Sequence, residues 1–128
     1  MNNDSSGKKI LIMEDDKFLS EMYSTKLKEA GFEIIAADDG EEGLRLIKEK
    51  MPDLVLLDIV LPRMDGFEVL QNLKKDKSLK DILVVALTNL GQKEEVEKGI
   101  SLGADDYIIK AHFTPTEVVA KVKIMLKL

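Results

Sequence analysis

The chain has 128 residues, 45% hydrophobic and 34% charged, with a formal net charge of −5. That length is one domain with room for a sizeable core, and the acidic balance argues against the clustered basic surface that nucleic-acid binding needs. With no cysteine there are no disulfides, thiolate metal sites or cysteine nucleophiles, which fits a reducing compartment. No apolar run reaches the ~18 residues of a membrane span, and Met1 to Gly7 lacks the apolar core of a signal peptide. A cytoplasmic location away from membranes is therefore expected.

Residues 1–7 are small and polar and read as a disordered lead-in, leaving 8–128 as the folded unit. Ile10-Leu11-Ile12-Met13 is a short buried strand tipped by Glu14, Asp15 and Asp16. From Asp16, which reads as a helix cap, Leu19, Met22, Tyr23, Leu27 and Ala30 recur at helical spacing, and Gly31 stops the helix. Met13, Met22 and Met125 are expected in the core.

Phe32 to Ala37 is a second strand, followed by the Asp38-Asp39-Gly40 turn and cap. A second helix carries Leu44 and Ile47 to Lys50 and ends before Pro52. The third strand, Leu54-Val55-Leu56-Leu57, is apolar without a break and closes on Asp58. An irregular loop from Ile59 to Asp65 leads to a third helix, Gly66 to Lys75.

Ile82 to Leu87 is a fourth buried strand with Thr88 at its exit. A polar helix runs from about Gln92 to Leu102 with Val96, Gly99 and Ile100 inward. Asp106 to Ile109 is a fifth strand with Lys110 at its exit. Thr114-Pro115 opens the last helix, whose inner face is Val118, Val119, Val122, Met125 and Leu126. Strands alternating with helices mean parallel strands and right-handed crossovers: an α/β fold with a doubly wound parallel sheet.

In such a sheet, ligands bind beyond the carboxyl ends of the strands. Glu14 and Asp15, Asp58, Thr88 and Lys110 all stand at those ends. Carboxylates with reference pKa values of about 4 repel one another when crowded at neutral pH. Lys110 supplies one compensating charge, and an all-oxygen site suits Mg²⁺. A carboxylate nucleophile, a divalent cation, an ammonium and a hydroxyl are together the parts for accepting a phosphoryl group.

At this point the chain resembles the receiver domain of two-component response regulators. The resemblance rests on residues 10–16 (ILIMEDD), 52–66 (PDLVLLDIVLPRMDG), 84–88 (VVALT) and 103–110 (GADDYIIK). It implies a flavodoxin-like fold with five helices and strand order 2-1-3-4-5. It implies Asp58 as phosphoacceptor, with Glu14, Asp15, Asp58 and the Val60 carbonyl around Mg²⁺. Thr88 and Tyr107 match the switch pair, and Lys110 the phosphate-binding lysine. A sensor histidine kinase or a phosphotransfer protein is the implied donor, and the domain would be no enzyme beyond its own phosphorylation and slow autodephosphorylation. Val60 and Leu90 fall where the family influences the hydrolytic water, and neither can hydrogen-bond it.

With no DNA-binding domain on this stretch, output is expected through another protein in trans, or the chain is a receiver cut from a longer one. A homodimer through the fourth helix, fifth strand and fifth helix is a further expected partner. Three positions depart from the family pattern: Asn89 replaces a small residue, Ala111 replaces a proline, and His112 joins Phe113 where an aromatic stands alone. A non-proline cis bond costs about 2.5–4 kcal/mol, so the Lys110–Ala111 bond is expected trans. A docking module that is never phosphorylated would predict a degraded acidic site, and an aspartate-nucleophile hydrolase would carry an acid where Val60 stands.

Overall fold

The computed structural model describes residues 7–89 and 93–128. The expected lead-in falls almost wholly outside them, as do Leu90 and Gln92. The elements follow as β1 (Lys9–Met13), α1 (Lys17–Glu29), β2 (Glu33–Ala37), α2 (Gly40–Lys50), β3 (Leu54–Asp58) and α3 (Gly66–Lys75). Then come β4 (Leu83–Thr88), α4 (Lys93–Ser101), β5 (Asp106–Ile109), a one-turn 3₁₀ segment at Lys110–His112 and α5 (Pro115–Met125).

All strands are parallel and stand in the order β2-β1-β3-β4-β5, the doubly wound arrangement expected. Side chains alternate across a strand, so each strand feeds two cores. Ile10, Ile12, Leu54, Leu56, Val85, Leu87 and Ile108 pack under α1 and α5 with Tyr23, Leu27, Val118 and Val122. Leu11, Met13, Val55, Leu57, Val84 and Ala86 pack on the opposite face against Leu44, Ile47, Val69, Leu70 and Leu73 of α2 and α3. This double burial is why β3 has no polar residue before Asp58.

The helix starts obey local chemistry. Asp16, Asp39, Asp65 and Thr114 each cap a helix by accepting a backbone N–H three residues on. Thr114 and Glu117 complete a capping box behind Pro115. No helix among the described residues is long and apolar enough to cross a membrane.

Two core expectations are corrected. Ile100 is 44% exposed, because α4 lies at the sheet edge and turns only Gly99 fully inward. Met22 is half-buried in a surface groove with Phe18 and Pro115, one helical step away from the buried Tyr23. Phe32 is buried but precedes β2, which begins at Glu33.

Candidate functional site

Strand register assembles the site. Met13 pairs with Leu57, so the next residues, Glu14 and Asp58, stand level on neighbouring strands. Asp58 pairs with Leu87, which puts Thr88 one step further out, and Thr88 pairs with Ile109, which puts Lys110 one step beyond that. A lysine stem is long enough to span that offset and return its ammonium to the carboxylates. Glu14, Asp58 and Lys110 continue the parity of the α1/α5 face, while Thr88 follows Val84 and Ala86 on the other.

Among the described residues, Glu14, Asp58 and Thr88 are the buried polar or charged ones, at 1%, 3% and 2% exposure. Lys110 Nζ donates to Asp58 Oδ2 at 2.7 Å and forms an ion pair with Glu14 Oε1, also at 2.7 Å. Asp58 Oδ1 accepts the Val60 N–H at 3.0 Å. Glu14 Oε2 accepts the Asp16 N–H at 3.1 Å, and the Glu14 N–H donates to the Ala37 carbonyl at 3.2 Å. The Thr88 hydroxyl is buried with no hydrogen-bond partner among the described residues.

Burial pushes the Glu14 carboxyl above its ordinary range; the Lys110 hydrogen bond opposes this, and the neighbouring Asp58 adds to it. For Lys110 burial acts to lower the pKa, but the two carboxylates outweigh it and the ammonium is held above its ordinary value. Glu14, Asp15 and Asp58 each offer an oxygen within 4.8 Å of the others, with Asp15 open to solvent. That all-oxygen, acid-rich donor set, short of positive charge with one lysine present, fits a hard divalent cation.

The loop after Asp58 is built to stay close. The Ile59 N–H donates to the Leu87 carbonyl at 3.1 Å and the Gly66 N–H to the Ile59 carbonyl at 2.9 Å. A Cβ on Gly66 would overlap the Asp58 carbonyl oxygen and lie 2.6 Å from Ile59 Cα, so only glycine lets α3 start against the acid's own backbone. Val60 is 59% exposed at the mouth of the site, and Tyr107 is 38% exposed on β5. Asn89 is exposed. The Lys110–Ala111 bond is trans, as expected, and Ala111 and His112 lie exposed in the 3₁₀ turn. Sequence reading missed Gly40, which abuts this loop from α2, and Arg63, which reaches from the loop to Asp39 and Glu41. The Asp38-Asp39-Gly40 turn was a visible signal, but which surface it meets is not.

A parallel sheet in this order, with acids, a hydroxyl and a lysine at the carboxyl ends of its strands, defines a flavodoxin-like class of domain. The family model described as the response regulator receiver domain matches residues 10–123, and the chain belongs to that family. It is a signalling domain, not a conventional enzyme. The chain is 41% identical over 119 residues to the "DNA-binding dual master transcriptional regulator RpaA" of Synechocystis sp., covering 93% of this chain and 49% of RpaA. A crystal structure of a putative response regulator from Chloroflexus aurantiacus superposes with a TM-score of 0.88 at 33% identity, covering 94% of this chain and 98% of that one. The Mn²⁺-bound form of response regulator Rcp1 gives a TM-score of 0.80 at 30% identity, covering 91% of each chain.

One expectation falls here. The chain spans about half the length of the curated relatives it matches, and these are transcriptional regulators, RpaA being DNA-binding by name. In those relatives the matched receiver is about half of a longer polypeptide named as a transcriptional regulator, which overturns the expectation of output in trans.

Proposed function

We propose that the domain, residues 8–128, is a phosphorylation switch. Asp58 accepts a phosphoryl group from a sensor histidine kinase or a phosphotransfer protein, and the change is read on the surface of α4, β5 and α5. The observation that supports the reading is a buried carboxylate with its ammonium partner and, at the adjacent strand end, a buried hydroxyl with no partner among the described residues.

Glu14, Asp15 and Asp58, with the Val60 carbonyl, would hold Mg²⁺, which when bound supplies positive charge beside the phosphoryl oxygens. Asp58 presents a carboxylate oxygen to the phosphorus of a phosphohistidine. An O–P bond forms, the P–N bond breaks, and the imidazole leaves with the electron pair. Lys110 keeps its ammonium beside the transferred group. Thr88 turns its hydroxyl to a phosphoryl oxygen, and Tyr107 moves in behind it. Val60 is apolar and cannot orient an in-line water, which favours slow self-dephosphorylation. The family implies a cytoplasmic setting, and the relatives' names make control of transcription the outcome this switch would feed.

Incubation with Mg²⁺ and acetyl phosphate, followed by intact mass and peptide mapping, should find one phosphoryl group on Asp58. Uptake by Asp58→Asn at the wild-type level would overturn the assignment. After donor removal the wild-type adduct should outlast that of Val60→Asn.

A further inference from the structure

The loop of residues 59–65, which carries Val60, leans on the first turn of α2. Gly40, the first residue of α2, has no room for a side chain: a Cβ there would overlap the Met64 carbonyl oxygen and lie 2.9 Å from Met64 Cβ. The overlapping atom is backbone and cannot swing aside. The Gly40 N–H points to the Pro62 carbonyl at 3.4 Å, an oxygen also taken by the Met64 N–H at 2.8 Å.

Arg63 closes the seam from the loop side. Its Nε lies 3.5 Å from Asp39 Oδ2 and its Nη1 3.8 Å from Glu41 Oε1. It does so from a φ of 69°, a left-handed backbone disfavoured for any residue with a Cβ. Asp39 also caps α2, its Oδ1 accepting the Glu42 N–H at 2.8 Å. One carboxylate thus ties the helix start and the loop together. Neither Gly40 nor Arg63 belongs to the acid cluster.

We infer that the first turn of α2 is a positioning element for cation binding: Gly40 and Arg63 hold the β3–α3 loop at the depth where the Val60 carbonyl meets the metal. This rests on the Mg²⁺ site proposed above. Mg²⁺ demands near-ideal octahedral geometry, whereas Ca²⁺ accepts a looser shell. A loop pushed outward should therefore cost Mg²⁺ more than Ca²⁺, a split that general destabilisation does not produce.

The test is calorimetric titration of folded, metal-free protein with Mg²⁺ and with Ca²⁺. Gly40→Ala should weaken Mg²⁺ about tenfold, from overpacking against backbone, and Ca²⁺ less. Arg63→Ala should weaken Mg²⁺ about two- to fivefold at low salt, with the loss shrinking at high salt. Ile47→Val, which trims the α2 core, should leave affinity unchanged, and Asp15→Ala should lose Mg²⁺. Wild-type affinity in both Gly40→Ala and Arg63→Ala, or an equal loss in Ile47→Val, overturns the positioning role. If Asp15→Ala still binds Mg²⁺ as wild type does, the metal site is elsewhere and this inference falls with it. Should Gly40→Ala not fold, Arg63→Ala and its salt dependence decide alone.

Discussion

Replacing Lys110 by Met keeps the aliphatic stem and deletes the ammonium. Glu14 and Asp58, each within 2.7 Å of that ammonium, are then left facing one another in the interior. Removing one partner of a buried ion pair costs about 3–5 kcal/mol. The Lys110 side chain is 13% exposed and Asp15 opens the cluster to solvent, so the lower end, about 3 kcal/mol, is expected. For a chain of 128 residues that is a fall in Tm of about 10 °C. The deficit should depend on pH. Glu14 is held above its ordinary value of 4.5, so its neutral form is the one the fold prefers. Stability is fully present below that value and is lost as pH rises through the folded pKa. The Lys110→Met deficit should therefore be largest at neutral pH and shrink toward pH 4.5. Mg²⁺ restores positive charge and should stabilise the variant more than the wild type. Urea unfolding followed by circular dichroism, in chelator and in Mg²⁺, measures both effects. Equal stability of the two proteins in chelator, or equal Mg²⁺ gains, would refute the charge argument.

Glu14→Gln should stabilise the metal-free protein at neutral pH, because burial holds the Glu14 carboxyl above its ordinary range, and the gain should fade as pH falls toward 4.5; no gain at neutral pH in urea titrations sinks the idea. The chain has two tyrosines, so Tyr107→Phe leaves Tyr23 as the sole reporter in an alkaline absorbance titration. Burial, then the Glu14 charge, hold the Tyr23 phenol above 10.0; the fold keeps the neutral form, so stability persists below that pH and falls as pH rises through the folded pKa. A midpoint at or below 10.0 in the folded protein contradicts this. Gly99→Ala should stabilise α4 by about 0.5–1 kcal/mol through helix propensity, since the added Cβ would meet Phe67 Cε1 at an ordinary 4.0 Å; a lower urea midpoint would show that α4 packs more tightly than this.

The fold was legible because both faces of the sheet are covered. Double burial turns β1, β3 and β4 into apolar runs whose ends are abrupt, and each end carries a polar residue that the core cannot explain. Parallel topology then brings those ends to one edge without any knowledge of register. What register adds is the offset of Thr88 and Lys110 beyond Asp58, which makes a long flexible cation the residue able to reach back. The misses share a cause. Ile100 fits the helical period, but α4 turns Gly99 inward and leaves Ile100 44% exposed. Gly40 reads as a cap residue, and nothing local reveals that a distant carbonyl occupies the place of its side chain. Arg63 looks like a surface charge, and only its backbone angle and its two acidic neighbours mark it as held.

Lys110 and Thr88, the ammonium and the hydroxyl at the strand ends beside Asp58, stand in opposite conditions. Lys110 already has two carboxylates at 2.7 Å, so a phosphoryl group adds to its contacts without creating them. Among the described residues Thr88 has no partner for its buried oxygen, a deficit of about 1–3 kcal/mol. On the proposed reading, phosphorylation removes that deficit, and it can do so only in the arrangement where Thr88 faces the phosphoryl oxygen. A ligand shifts an equilibrium by its differential interaction with the two states. The unpaired hydroxyl supplies such a difference, worth about a 5- to 150-fold change in population. Thr88→Val, which keeps the shape and removes the hydroxyl, should therefore leave the unphosphorylated domain at least as stable while uncoupling α4 and β5 from Asp58. Amide exchange across α4 with and without beryllofluoride reads that coupling, and a wild-type response in the variant would place the driving force elsewhere.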